Sequence, residues 1–139
     1  MPRQMGPGTV VGGRYRLQER IGSGSMGSVH RAVDELLGRD VAVKLIASRA
    51  RTEEERSRNE AEAKVLSQLN HHSLITLFDA GTEVSPSGTS IVWLAMELVQ
   101  GSDLSRRLAT GKLPARQVAH LAYDLAIGLD YMHRGGIVH

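Results

Sequence analysis

The sequence lacks several features that mark particular classes of protein. It has no cysteine, which excludes disulfide bridges and thiolate metal sites and fits a reducing cytosol. Its formal net charge is only +2 and its basic residues form no long block, so nucleic acid is not predicted as a partner. No apolar run approaches the roughly 20 residues of a membrane helix, and the first residues lack the apolar core of a signal peptide. We therefore expect a soluble, cytoplasmic chain of about one domain.

A glycine-rich stretch near the start of the chain is the first positive feature. It reads IGSGSMGSV and comprises Ile21, Gly22, Ser23, Gly24, Ser25, Met26, Gly27, Ser28 and Val29. Two phosphate-binding devices share this glycine spacing. In dinucleotide-binding folds, the glycines lead into a helix whose N-terminal amides hold a pyrophosphate, and an acidic residue about 20 positions further on binds the ribose. In the other device, the glycines form the tip of a β-hairpin that covers the phosphates of a nucleotide.

The residues that follow the glycines favour the hairpin. After Gly27 the chain reads SVHRAV, with β-branched residues at Val29 and Val33, and position 47 is an alanine. A helix followed by a ribose-binding acid is therefore not expected. The hairpin hypothesis requires a lysine on the next strand to hold two of the phosphates, and Lys44 ends the run VAVK. A lone lysine at a strand end is usually solvated, but combined with the glycine spacing Lys44 is predicted to bind phosphate.

Hydrophobic periodicity and turn residues predict strands in the first part of the chain and helices in the second. Residues 1–11 are expected to be a flexible leader. Strands are predicted at Tyr15–Ile21, Val29–Val33, Val41–Ile46, Leu74–Asp79 and Ser90–Leu98. A helix is predicted from Thr52 to Leu69, with Val65, Leu66 and Leu69 as its packed stripe. Further helices are predicted at 101–108 and 115–134, the last with a wide apolar face.

Four segments together resemble one known family. They are RYRLQERIGSGSMGSVHRAVDELLGRDVAVKL, the helix ending LNHH, MELVQGSDL and YMHRGGIVH. The chain from Tyr15 to His139 is similar to the N-terminal part of bacterial serine/threonine protein kinases of the eukaryotic type. The resemblance implies an α+β fold in which residues 12–97 form the kinase N-lobe, a five-stranded antiparallel sheet with one long helix. Residues 98–101 would then be the hinge, and residues 102–139 the start of the helical C-lobe.

The resemblance implies ATP as the bound nucleotide and gives roles to two charged residues. In these kinases, the lysine of the third strand is held by a glutamate of the following helix, and the pair positions the α- and β-phosphates. Lys44 matches that lysine, while Glu60 and Glu62 both lie in the predicted helix. Glu62 is favoured because it stands nine residues before His71, as the family glutamate does, and shares the packed stripe with Leu66. Glu60 is the alternative.

Other positions are similar to those that surround the nucleotide in the family. They are Ile21, Val29, Ala42, Met96, Glu97, Val99 and Asp103. The first three would form the apolar ceiling over the adenine, although strand packing alone also explains them, and Met96 would be the gatekeeper. The backbone from Glu97 to Val99 would hydrogen-bond the adenine as the hinge. Asp103 matches a residue that binds the ribose, but an aspartate after Gly-Ser is also a good helix N-cap, and both roles stay open.

The chain reaches only the first residue of the family motif His-Arg-Asp, at His139. In the family, the catalytic aspartate, the Mg²⁺ ligands and the peptide site come after that residue, and no spacing among the histidines present resembles a metal-ligand set. By the resemblance, the full kinase transfers the γ-phosphate of ATP, with Mg²⁺, to serine or threonine of protein substrates, and a membrane anchor in the full-length protein stays open. These 139 residues alone are not expected to be active. The alternative is a non-catalytic fragment that binds nucleotide or dimerises kinases through an N-lobe homodimer.

Overall fold

The computed structural model of the chain describes residues 5–24, 27–48 and 52–138, without the side chains of Arg56, Asn59 and Glu62. The chain divides into two compact units. The first consists of Met1–Gln68 and Thr76–Leu98, and the second of Leu69–Ile75 and Val99–His139.

The first unit contains one antiparallel sheet of six strands. The strands are β1 Val10–Val11, β2 Tyr15–Gly24, β3 Gly27–Asp34, β4 Arg39–Ala47, β5 Leu77–Val84 and β6 Ser90–Met96, in the spatial order β1-β2-β3-β4-β6-β5. The sequence analysis expected five strands and was wrong about the first, because it assigned residues 1–11 to a flexible leader. Val11 pairs with Tyr15 and is fully buried. Two residues are too few to show a period, so the pattern gave no sign of β1.

The core of the first unit lies on one face of this sheet. Buried residues alternate along the strands because successive side chains point to opposite faces. The core cluster consists of Val11, Tyr15, Leu17, Ala32, Val41, Val43, Leu45, Trp93 and Ala95. On β4 the alternation leaves Ala42 and Lys44 on the other face.

The Trp93 ring packs directly against the backbone at Gly12 and Gly81. A Cβ on Gly12 or on Gly81 would lie 2.5 Å from the Trp93 ring, so neither position has room for a side chain. Gly81 also explains why β5 differs from the expectation. The glycine resembled a loop residue, and the strand was predicted to end at Asp79, but β5 continues to Val84 because the indole occupies the side-chain space.

We predict that Gly12→Ala destabilises the first unit more than Gly13→Ala. Both glycines have left-handed backbones, with φ of 59° and 62°, so either alanine costs about 1–2 kcal/mol in backbone strain. A Cβ on Gly13 meets nothing within 4 Å, whereas one on Gly12 collides with Trp93, which adds about 1–3 kcal/mol. Urea unfolding measures the decrease in unfolding free energy of each variant. Equal decreases would contradict the close packing of Gly12 against Trp93.

An ion pair with a fully buried carboxylate joins the turn before β2 to the end of β3. Asp34 is fully buried, and its two carboxylate oxygens accept hydrogen bonds from Arg14 at 2.8 and 2.7 Å. The backbone N–H groups of Leu36 and Leu37 donate to the same carboxylate at 3.1 and 3.2 Å. The hydrogen bonds from Arg14 hold the pKa of Asp34 well below its usual range. The sequence analysis predicts no strand or helix between Val33 and Val41 and does not indicate this pair.

A second polar contact joins β2 to β5. The Tyr15 hydroxyl donates to the Asp79 carboxylate at 3.1 Å. Burial and the neighbouring Asp79 charge raise the pKa of Tyr15 to about 12. The hydroxyl therefore stays a donor at neutral pH, and the contact links two strands that are not neighbours in the sheet.

Helix α1 runs over Glu53–Ser67, within the predicted range. The Thr52 hydroxyl accepts from the Glu55 amide at 3.2 Å, and the Glu55 carboxylate accepts from the Thr52 amide at 3.4 Å, so a capping box begins the helix. The predicted packed stripe was wrong at Val65, which is 56% exposed, and Ala63 is the one buried residue among the side chains of this helix that the structure describes.

The second unit contains α2 Leu104–Ala109 and α3 Ala115–Arg134, the latter with the predicted bounds. Gly128 of α3 lies against Ser73, where a Cβ would come within 2.8 Å of the serine Cβ. The Tyr131 hydroxyl accepts a hydrogen bond from the Asn70 amide at 3.1 Å. The apolar residues Val118, Leu121, Leu125 and Leu129 on this helix are exposed. Among the described residues, no helix combines the length and the apolar composition needed to cross a membrane.

Candidate functional site

The sheet register brings the predicted site residues of three strands onto one face. Lys44 on β4 lies between Val29 on β3 and Leu94 on β6. Ala42, two residues before Lys44 on β4, is paired with Met96 on β6. Directly paired residues point to the same side of a sheet. We call the surface formed by Val29, Ala42, Lys44, Leu94 and Met96 the lysine face; it is opposite the core cluster.

The glycine-rich hairpin borders the lysine face. Gly22 is paired with Val29, and Gly24 with Gly27, as predicted for a hairpin tip. Gly27 has a φ of 150°, and a Cβ there would collide with the Leu45 carbonyl oxygen. Only glycine therefore allows the hairpin to run this close to β4. The predicted loop residues Ser25 and Met26 lie outside the described residues, and Ser23 is exposed.

Lys44 is partly buried on the lysine face. Its cross-strand neighbours Val29 and Leu94 are apolar, and it forms no hydrogen bond or ion pair with another residue whose side chain the structure describes. An ammonium group on a long stem beside apolar side chains is a strong donor to a polyphosphate. The position therefore suits the predicted phosphate contact.

Helix α1 packs on the same side of the sheet as Lys44. The Thr82 hydroxyl of β5 donates to the Glu60 carboxylate at 2.6 Å. Thr82 is paired with Val92, which is paired with Ile46, and Ile46 shares the face of Lys44 because it lies two residues further along β4. The bond thus holds α1 on the lysine face.

The structure describes the side chain of Glu60 but not that of Glu62. Glu60 is engaged with Thr82, which favours Glu62 as the partner of Lys44. Glu62 lies in α1, and its side chain is outside what the structure describes. The assignment of Glu62 to Lys44 stays a prediction.

The segment predicted as the hinge begins where β6 ends at Met96. Glu97 still belongs to the first unit, and its amide donates to the Thr76 carbonyl at 3.0 Å. Val99 and Asp103 belong to the second unit. The Asp103 carboxylate accepts from the Arg106 amide at 2.8 Å, so its predicted role as the N-cap of α2 is confirmed, and its role toward a ribose stays a prediction. Ile21, predicted at the edge of the ceiling, is 44% exposed.

The described residues contain no group of three or more histidine, aspartate or glutamate side chains that could hold a metal ion. His139, predicted to begin the catalytic loop, lies outside the described residues.

Comparison with protein families identifies what this arrangement is similar to. The sequence profile described as "Protein kinase domain" matches residues 15–139. The chain is 37% identical over 134 residues to the serine/threonine-protein kinase PknA of Mycobacterium tuberculosis, covering 95% of this chain and 31% of PknA. It is 36% identical over 139 residues to a probable serine/threonine-protein kinase PknB of Bifidobacterium longum, covering 96% of this chain and 20% of that protein. The chain thus spans a third or less of the length of these relatives.

A solved structure supports the same comparison. A variant of the PknI kinase domain of Mycobacterium tuberculosis superposes with a TM-score of 0.77 and 26% sequence identity. The match covers 98% of this chain and 54% of that domain structure. The fold described above is therefore that of the first part of a protein kinase domain.

Proposed function

Because the chain belongs to the protein kinase family, we propose that it is the ATP-binding part of a serine/threonine kinase that transfers the γ-phosphate of ATP to protein substrates. One observation carries the proposal. The strand register aligns Val29, Ala42 and Met96 beside Lys44, next to the glycine hairpin. An adenine can pack on the apolar residues while the hairpin amides and the lysine ammonium bind the phosphates.

The roles proposed for the individual residues are those that the family resemblance implies. Lys44 binds the α- and β-phosphates, and Glu62 orients it from α1. Gly22, Gly24 and Gly27, with Ser23, Ser25 and Met26 between them, bring backbone N–H groups to the phosphates, since glycine permits close approach. Ile21, Val29 and Ala42 cover the adenine, Met96 lies behind it, the backbone of Glu97 and Val99 binds its edge, and Asp103 binds the ribose. Protein kinases use ATP together with a divalent metal.

Backbone NMR tests where the nucleotide binds. Titration of the ¹⁵N-labelled chain with ATP is expected to shift the amide resonances of Gly22, Gly27, Val29 and Lys44. The amides of Ser85 and Gly88, in the turn between β5 and β6, provide an internal control and are expected to stay in place. Absence of shifts at the hairpin and at Lys44, with saturating ATP, would contradict the proposal. The 139-residue chain by itself is expected to bind ATP without transferring phosphate.

A non-catalytic role through an N-lobe homodimer is the second candidate. Leu36 and Leu37, in the turn between β3 and β4, are 71% and 58% exposed. Exposed leucines beside each other can supply the apolar centre of a contact between two copies. Sedimentation equilibrium tests it, and a single monomeric species at high concentration would contradict it.

A cytoplasmic location stays a prediction.

A further inference from the structure

The end of the β5–β6 ladder departs from regular antiparallel pairing at Glu97. Leu77 is paired with Met96, so Thr76 and Glu97 are the next pair along the ladder. In a hydrogen-bonded antiparallel pair, the two residues exchange both backbone N–H···O=C bonds. One of the two bonds is present, because the Glu97 amide donates to the Thr76 carbonyl at 3.0 Å.

The second bond of the pair has a different acceptor. The Thr76 amide donates to the Glu97 side-chain oxygen Oε1 at 2.8 Å, where a regular ladder would use the Glu97 carbonyl oxygen. The carboxylate thus substitutes for the main-chain acceptor. Among the described residues, none donates a hydrogen bond to the Glu97 carbonyl oxygen. That carbonyl lies one residue beyond Met96 of the lysine face and does not take part in the ladder bond with Thr76.

We propose that the Glu97 carboxylate is a positioning residue that keeps the Glu97 carbonyl available to accept a hydrogen bond from the 6-amino group of adenine. This inference rests on the proposed function and adds a specificity device to it. A backbone carbonyl is a strong acceptor that needs a partner when it is covered, and the amino group supplies a donor. Guanine carries a carbonyl at the same position, so two acceptors would meet and its binding is disfavoured.

The account makes a specific prediction about the loss of the carboxylate. Without it, the Thr76 amide regains the Glu97 carbonyl as its regular ladder partner. The carbonyl is then occupied and no longer meets the nucleobase. ATP consequently loses the contact at its amino group, while a nucleotide without an amino group loses nothing.

The experiment compares ATP with purine riboside triphosphate, which lacks the 6-amino group. The dissociation constants of both are measured by isothermal titration calorimetry on the 139-residue chain. The unmodified chain is expected to prefer ATP by about 10-fold, the size of one well-placed hydrogen bond. Glu97→Ala is expected to reduce this preference to about 2-fold or less, with the affinity for purine riboside triphosphate unchanged.

Three further variants separate positioning from structure. Glu97→Gln keeps an acceptor oxygen at the same distance and is expected to retain the preference. Glu97→Asp keeps the charge but is too short to reach the amide, so it is expected to behave like Glu97→Ala and serves if that variant does not fold. Glu83→Ala is the matched control, because the Glu83 carboxylate accepts from the Gly12 amide at 2.7 Å and Glu83 is one residue along β5 from Thr82, on the face opposite the lysine face.

The outcomes distinguish this inference from the proposed function. If the unmodified chain binds neither nucleotide, the proposed function fails. If it prefers ATP and the Glu97→Ala and Glu97→Asp variants keep that preference, only the role of the carboxylate is overturned. An equal loss of affinity for both nucleotides in Glu97→Ala would also overturn it, since that result indicates a structural role alone.

Discussion

Asp34→Ala is expected to lower the melting temperature of the chain by about 10 °C or more. The substitution leaves the Arg14 guanidinium, whose side chain is only 28% exposed, beside an apolar core without its partner. It also leaves the amides of Leu36 and Leu37 without the acceptor that now holds the turn. Removing one member of a buried pair costs more than the pair itself contributes, because the remaining charge stays desolvated. Thermal unfolding followed by circular dichroism measures the effect.

Asp40→Ala is the matched control for this prediction. Asp40 pairs with Arg31, but the two side chains are 44% and 41% exposed, so solvent screens the pair. A change of less than about 3 °C is expected. An equal decrease in melting temperature in the two variants would contradict the prediction that the buried Asp34 pair stabilises the chain more than the exposed Asp40 pair.

The Asp34 pair also predicts how stability depends on pH. The pKa of Asp34 is lowered in the folded chain from its ordinary value of 3.8. The stabilisation is therefore fully present above that value and is lost as the pH falls below it, because the unfolded chain takes up the proton first. The difference in melting temperature between the unmodified chain and Asp34→Asn is expected to shrink between pH 5 and pH 3. A difference that is constant over this range would contradict the assignment.

Local patterns in the sequence predicted the elements whose causes are local. The bounds of α3 and the Thr52 start of α1 followed from periodicity and capping, which depend on residues within a few positions of each other. The hairpin and the strand that carries Lys44 also followed from residue type and turn residues, while phosphate binding by Lys44 stays a prediction. Family resemblance added Glu62 and the hinge, which no pattern within the chain indicates.

The features that sequence reasoning missed depend on contacts between distant residues. The end of β5 was predicted at Asp79, too early, because Gly81 resembles a loop residue. In the structure, the Trp93 ring fills the space that a side chain at Gly81 would need. The acceptor role of the Glu97 carboxylate depends on its register with Thr76, which is set by the whole β5–β6 pairing. Asp34 gave one local sign, since an aspartate at the start of a turn, here four residues before Gly38, often accepts backbone N–H groups. That local pattern does not predict the burial of Asp34 or its pairing with Arg14.

Lys44→Ala is expected to reduce the affinity of the chain for ATP by about 10- to 100-fold, the range of a charge-assisted hydrogen bond to phosphate. Lys44 lies beside the glycine hairpin on the lysine face, where the phosphates are proposed to bind. Adenosine has no phosphate, so its affinity is expected to change by less than about 2-fold. Lys64→Ala is the matched control, because Lys64 is an exposed lysine in the last turn of α1 and its loss changes the net charge equally.

The central claim is that the lysine face binds the phosphates of ATP, and the ratio of ATP affinity to adenosine affinity tests it most directly. Calorimetric titration of the unmodified chain, Lys44→Ala and Lys64→Ala with both ligands gives this ratio. The account predicts that the ratio falls by at least about 10-fold in Lys44→Ala and stays unchanged in Lys64→Ala. An unchanged ratio in Lys44→Ala, or an equal fall in both variants, would contradict it.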